Sequence, residues 1–185
     1  LNRGIDFIEL DSPFYKLNKN TNEIGSGYAS CIFEGKLWLG TNQGLYYSDS
    51  SNNLCPVPEI RGQIWSLMEK SGLLFCSCDK GIYILSKEKI QHIPLNGVWK
   101  LESLRGQPEL LLGSSYDKLF LLRNNGSKWE FDGYIEGFEL ASKAFEEDPD
   151  GSIWFSHWVK GLFRLKIDYS SKTVVETEFF SKAQN

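Results

Sequence analysis

The chain has 185 residues, 41% of them apolar and 14% aromatic, with 20 Lys and Arg against 24 Asp and Glu. That usage excludes a disordered or collagen-like chain and leaves enough length to bury a core. A formal net charge of −4 brings no basic surplus to neutralise phosphates, which excludes nucleic acid and an anionic membrane surface as expected partners.

The opening Leu1-Asn2-Arg3-Gly4-Ile5-Asp6 has neither an initiator Met nor the charged-then-apolar pattern of a signal peptide, so a piece of a longer chain is expected. Residues 5–10 and 14–17 alternate apolar and polar side chains, the period of a half-buried strand, before the Asn- and Thr-rich residues 18–23. A strand is predicted at Ser30 to Glu34. Glu34-Gly35-Lys36 turns it into Leu37-Trp38-Leu39-Gly40-Thr41, and a polar tip, Asn42-Gln43-Gly44, leads into Leu45-Tyr46.

The same succession returns three times. Trp65 to Glu69, the turn Lys70-Ser71-Gly72 and Leu74-Phe75-Cys76-Ser77-Cys78 lead to Ile82-Tyr83. Trp99 to Ser103, the turn Arg105-Gly106-Gln107 and Leu110-Leu111-Leu112-Gly113 lead to Leu119-Phe120. Ser142 to Glu146, the turn Asp148-Pro149-Asp150-Gly151 and Ile153-Trp154-Phe155-Ser156 lead to Leu162-Phe163. Glycine suits these turns because tight hairpins need positive φ. Outer strands rich in β-branched and aromatic residues follow at Gln91-His92-Ile93, Lys128 to Phe131 and Thr173 to Thr177. Leu140 to Glu147 has good helix propensity, but the repeat puts a first strand there.

The closing aromatics Tyr46, Tyr83, Phe120 and Phe163 are 37, 37 and 43 residues apart, the period of a four-stranded blade. The predicted fold is therefore all-β: a β-propeller segment of four four-stranded antiparallel blades, at 28–59, 63–95, 98–137 and 138–180. Residues 1–17 would give the outer strand of a preceding blade, and the whole would belong to a larger propeller. Trp38, Phe75, Leu111 and Trp154 should be equivalent, with Trp38 and Trp154 buried between blades.

Glu34-Gly35-Lys36-Leu37-Trp38-Leu39-Gly40-Thr41-Asn42-Gln43-Gly44-Leu45, and more briefly Glu147-Asp148-Pro149-Asp150-Gly151-Ser152-Ile153-Trp154, resemble the two-component regulator propeller repeat of periplasmic sensor regions in hybrid two-component histidine kinases. The resemblance spans roughly residues 24 to 180. It implies a periplasmic or otherwise extracytoplasmic ligand-sensing region of many blades, coupled through a membrane helix to a kinase and a DNA-binding regulator. The remaining blades would be partners of this segment, and a homodimer of the full-length protein is compatible with it. The second unit departs from the pattern with Phe75 and Cys76-Ser77-Cys78, the third with Leu111 and Lys118, and the fourth with His157-Trp158.

In a propeller the loop joining second and third strands opens at the same end as the entry to the first strand. One set of candidate ligand-binding residues is therefore Asn42, Gln43, Asp79, Lys80, Tyr116, Asp117, His157 and Trp158, and a second is Trp65 with Trp99. Flat aromatics beside amides and carboxylates suit a small polar ligand such as an oligosaccharide, because ring faces stack on C–H surfaces while polar groups take the hydroxyls. Counted from Gly40, Ser77, Gly113 and Ser156, the third and fourth units carry this loop one residue longer than the first two.

Catalysis is not expected. His92 and His157 are the only histidines, no Gly-x-Ser-x-Gly elbow occurs, and Glu102, Asp117 and Glu139 are only generic carboxylates. No metal or cofactor is implied. Two other readings stay open: a protein-interaction propeller without a small ligand, and a propeller-fold glycoside hydrolase or lyase. Cys31, Cys55, Cys76 and Cys78 are too few for a disulfide scaffold, leaving buried thiols, one disulfide or a metal as the choices.

Overall fold

The computed structural model describes residues 24–87, 89–142 and 144–181, so the strand expected over residues 1–17 lies outside the described residues. Four sheets follow one another along the chain. Blade 1 holds β1 (Gly27–Phe33), β2 (Lys36–Thr41), β3 (Leu45–Ser48) and β4 (Leu54–Pro56). Blade 2 holds β5 (Ile64–Lys70), β6 (Leu73–Cys78), β7 (Gly81–Leu85) and β8 (Ile90–Pro94). Blade 3 holds β9 (Val98–Leu104), β10 (Gln107–Ser115), β11 (Leu119–Asn124) and β12 (Trp129–Tyr134). Blade 4 holds β13 (Ala144–Glu147), β14 (Ile153–His157), β15 (Gly161–Asp168) and β16 (Thr173–Phe180).

Within each sheet the strands are antiparallel and ordered as in the sequence. The first hairpin of blades 1 and 2 turns through two residues of positive φ, Glu34 (50°) with Gly35 (72°) and Ser71 (54°) with Gly72 (72°). Such turns match the right-handed twist of the strands they join. The stretch with helix propensity forms β13, where Phe145 pairs with Phe155 and buries against the neighbouring blade. Packing overrides propensity there.

The first strands pack in series, β1 on β5, β5 on β9 and β9 on β13, and three buried clusters fill the spaces between blades. Between blades 1 and 2, Phe33, Leu45 and Ile64 meet Leu74, Cys76 and Cys78. Between blades 2 and 3, Phe75, Ile82 and Ile84 meet Leu111, Phe120 and Leu122. Between blades 3 and 4, Leu112, Leu119 and Leu121 meet Phe145, Ile153 and Phe155. Successive residues of a second strand thus serve opposite interfaces, as the two-residue period of a strand requires.

That alternation corrects one expectation. Gly40 faces Leu45, Ser77 faces Ile82 and Ser156 faces Leu162, and the counterpart in blade 3 is Ser114, which faces Leu119. Two residues before each lie Trp38, Phe75, Trp154 and, in blade 3, Leu112 rather than Leu111. The cause is an irregularity in β10 between Gln107 and Leu111, which shifts register and flips every following side chain to the other face. Counted from Ser114, the loop of blade 3 has the same length as those of blades 1 and 2; only that of blade 4 is longer. Trp38 and Trp154 are half-buried rather than buried.

All four cysteines are free thiols. Burial pushes the Cys78 thiol up to about 11, and that of fully buried Cys76 well above its ordinary value.

Candidate functional site

β1 and β5 each begin with a bulge, between Gly27 and Ala29 and between Ile64 and Ser66, and in β9 the break falls opposite Ser114 and Ser115, between Val98 and Lys100. Tyr28, Trp65 and Trp99 therefore stand unpaired at corresponding points of three blades, and a bulge re-aims the side chain it carries. Their rings form a ladder from blade to blade, with centroids 5.1 Å apart for Tyr28–Trp65, 4.7 Å for Trp65–Trp99 and 4.7 Å for Trp99–Tyr116. The Trp65 indole N–H closes it by donating to the Tyr116 hydroxyl at 3.0 Å.

Tyr116 comes from the loop between β10 and β11. Its ring lies against Gly97, where an added Cβ would sit 2.5 Å from ring carbons. Beside it the Ser115 hydroxyl donates to Asp117 Oδ1 at 2.8 Å and accepts the Lys118 N–H at 3.0 Å, which fixes the loop and the carboxylate on it.

The corresponding loop of blade 4 is closed by its own histidine. His157 Nδ1 accepts the backbone N–H groups of Val159 and Lys160 at 3.2 and 3.1 Å, so that nitrogen carries no proton in this arrangement. The Trp158 indole stacks on the imidazole at 6.2 Å, with an interplanar angle of 23°. It is 90% exposed.

These pieces enclose one cavity of about 820 Å³, lined by Trp65, Trp99, Tyr116, Asp117, His157 and Trp158 together with Glu139, Leu140, Ala141, Ser142, Ala144, Ser156 and Lys160. Six of the ten residues singled out in the sequence therefore meet here. Asn42, Gln43, Asp79 and Lys80 do not line it. Asn42 Oδ1 accepts the Ser26 N–H at 2.9 Å and closes the entry to blade 1, while the Asp79 carboxylate lies over Gly62, where a Cβ would sit 2.7 Å from Oδ1. Asn42 thus serves the entry to blade 1, and the buried Asp79 Oδ1 has no hydrogen-bond partner among the described residues.

Sequence reasoning gave no binding role to the irregular segment Glu139 to Ser142, which forms a wall of the cavity, nor to Lys160. Glu139 pairs with Lys118 at 3.7 Å, and Lys118 stands where the repeat has glycine, the one signal that could have pointed to this wall.

Two smaller cavities adjoin the first. One, about 390 Å³, runs along β5 and β9 below the Trp65 and Trp99 rings. At its side Lys100 Nζ meets Glu102 at 2.7 Å, Glu146 at 2.6 Å and the Phe145 carbonyl at 2.9 Å, tying blade 3 to blade 4. Burial disfavours the Lys100 charge, but these carboxylates outweigh it and raise its pKa above the ordinary value. The other, about 540 Å³, is lined by Phe138, Phe163 and Phe179 and shares Glu139, Leu140 and Lys160 with the main cavity.

No family model matches the sequence, and no curated protein matches it. Among solved structures the chain is similar to the extracellular domain assigned to a hybrid two-component system of Bacteroides thetaiotaomicron, with a TM-score of 0.64 at 14% identity over 85% of this chain and 22% of that one. It is also similar to the WD40 β-propeller domain of Doa1, with a TM-score of 0.58 at 12% identity over 83% of this chain and 54% of that one. A third similarity is to an auxiliary nutrient-binding protein of Bacteroides thetaiotaomicron, with a TM-score of 0.55 at 11% identity over 84% of this chain and 42% of that one. The chain thus spans about half or less of each. At these identities the likeness establishes the β-propeller fold alone.

Proposed function

We propose that this chain is a ligand-recognition segment of an extracytoplasmic propeller, belonging to a two-component signalling protein, and that it binds an oligosaccharide or a similar polar molecule without transforming it. The observation that carries this reading is the cavity of about 820 Å³ in which aromatic rings from three blades converge with Asp117, Glu139, His157 and Lys160. Concave sites with apolar walls and a few placed polar groups are where small ligands bind. Similarity to an extracellular two-component domain and to a nutrient-binding protein supports the setting. The two carboxylates in the cavity are already engaged, Asp117 by Ser115 and Glu139 by Lys118, which favours binding over acid–base work.

The test is titration of the chain with malto-, cello-, xylo- and arabino-oligosaccharides, read by tryptophan fluorescence and calorimetry. Saturable binding is expected, with the sugar recovered unchanged; Trp158→Ala weakens it while thermal unfolding stays the same. Cleavage of the sugar would favour a hydrolase or lyase. The adjoining exposure of Trp158 (90%) and Val159 (68%) favours a second reading, a protein-interaction rim. Under that reading no sugar binds.

A further inference from the structure

The main cavity has a neighbour on each side, and each neighbour shares part of its wall. Trp65 and Trp99 belong both to the main cavity and to the one along β5 and β9. On the other side, Glu139, Leu140 and Lys160 belong both to the main cavity and to the one beneath Phe163 and Phe179. Aromatic surfaces run through all three cavities. The Trp65–Trp99 pair is shared by the cavity along β5 and β9 and the main one, Trp158 lines the main cavity, and in the third Phe163 and Phe179 lie 4.8 Å apart. Phe179 remains 43% exposed although it packs on Phe163.

Charged groups alternate with these surfaces: Lys100 and Glu102 beside the first, Asp117 beside the second, and Glu139 and Lys160 between the second and third. A compact ligand in the main cavity would reach the Trp65–Trp99 pair and Trp158 and leave Phe163 and Phe179 open to water. A chain of rings bearing hydroxyls on its edges would use all three, because each ring offers an apolar face to an aromatic and polar edges to the groups between.

Building on the proposed sugar recognition, we infer that the site takes an elongated, unbranched oligosaccharide laid across the three adjoining cavities, with Phe179 as the platform for its far end. Phe179 is then a specificity residue for chain length.

The experiment is a titration of the intact chain with a length series, from mono- to hexasaccharide, of the four linear sugars above, repeated for Phe179→Ala and Phe179→Leu. The leucine keeps the apolar packing on Phe163 and removes the flat ring, so the ring's role is tested even if the alanine variant fails to fold. Affinity is expected to rise at least about tenfold between disaccharide and hexasaccharide. Both variants should lose that gain and retain the wild-type affinity for the disaccharide. Equal affinity across the series, or a gain untouched in Phe179→Leu, overturns the elongated ligand and leaves sugar recognition standing. Absence of binding by every sugar overturns both.

Discussion

Trp65 and Tyr116 are 51 residues apart in sequence and join blades 2 and 3 through a single hydrogen bond of 3.0 Å, indole N–H to phenol oxygen, with the Trp99 ring packed against both. The bond makes the cavity wall one unit spanning two blades, and it leaves the Tyr116 hydroxyl proton available to a ligand.

Tyr116→Phe removes the acceptor and strands the Trp65 N–H in a half-buried place. A loss of about 1 kcal/mol in urea unfolding is expected. Trp65→Phe removes the donor, and the double variant should cost less than the sum of the two single changes, because the same bond is lost in each. Strict additivity would show that the bond contributes nothing.

Phe75 carries more of the fold than either half-buried tryptophan. It is fully buried at the interface of blades 2 and 3 and meets Trp129 edge to face at 5.5 Å. Phe75→Ala should cost about 3–5 kcal/mol. Trp38, which donates its N–H to the Phe33 carbonyl, and Trp154, which donates to Asp148, keep part of their surface in water. Their alanine variants should cost about 1–3 kcal/mol each. Thermal unfolding that ranked Trp154→Ala above Phe75→Ala would reverse this order.

The four-blade architecture is legible in the sequence because each blade writes the same turn chemistry and the same alternation before and after it. The register of blade 3 is not legible, since Leu110, Leu111 and Leu112 are chemically alike and an irregularity upstream decides which of them faces which blade. For the site, aromatic residues at irregular points of the repeat are a usable signal: Trp65, Trp99, Tyr116 and Trp158 all line the cavity. Polar loop residues are a poor one. Asn42 shares its loop position with true lining residues, yet it spends its amide on Ser26, and nothing local separates a turn-closing Asn from a ligand-binding one. Glu139 to Ser142 reach the cavity through tertiary packing of an irregular segment, which no periodicity encodes.

Acid should unfold the protein partly through blade 4. The Asp150 carboxyl is held down to about 2, first by the Ser152 hydroxyl and backbone N–H and then by Arg164; that of Asp168 is held at about 2 by Ser170 and Ser171. An unfolded aspartate titrates near 3.9. With the folded pKa below the unfolded one, the unfolded chain binds more protons, so this stabilisation is complete above the unfolded value and is lost as pH falls from about 4 to 2. The urea midpoint should drop over that window. Asp150→Asn should show a shallower drop, and a slope identical to wild type would remove Asp150 from the account.

Gly97 connects the fold to the site. It precedes β9 with φ of 68°, a conformation L side chains adopt only with strain, and the Tyr116 ring occupies the space its Cβ would take, at 2.5 Å. Alanine here meets two penalties together, left-handed backbone and a ring that must move. A cost of about 1–3 kcal/mol is expected from strain of this kind. Moving the ring also breaks the bond from Trp65 and displaces one wall of the cavity, so binding should weaken beyond what the lost stability explains. The control is Gly106→Ala, which has a similar φ of 70° and open space where its Cβ would go. It should share the backbone penalty and leave affinity untouched. If both variants lose stability and neither loses oligosaccharide affinity, the position of Tyr116 has no part in recognition, and the binding wall must be sought on the Trp158 side of the cavity.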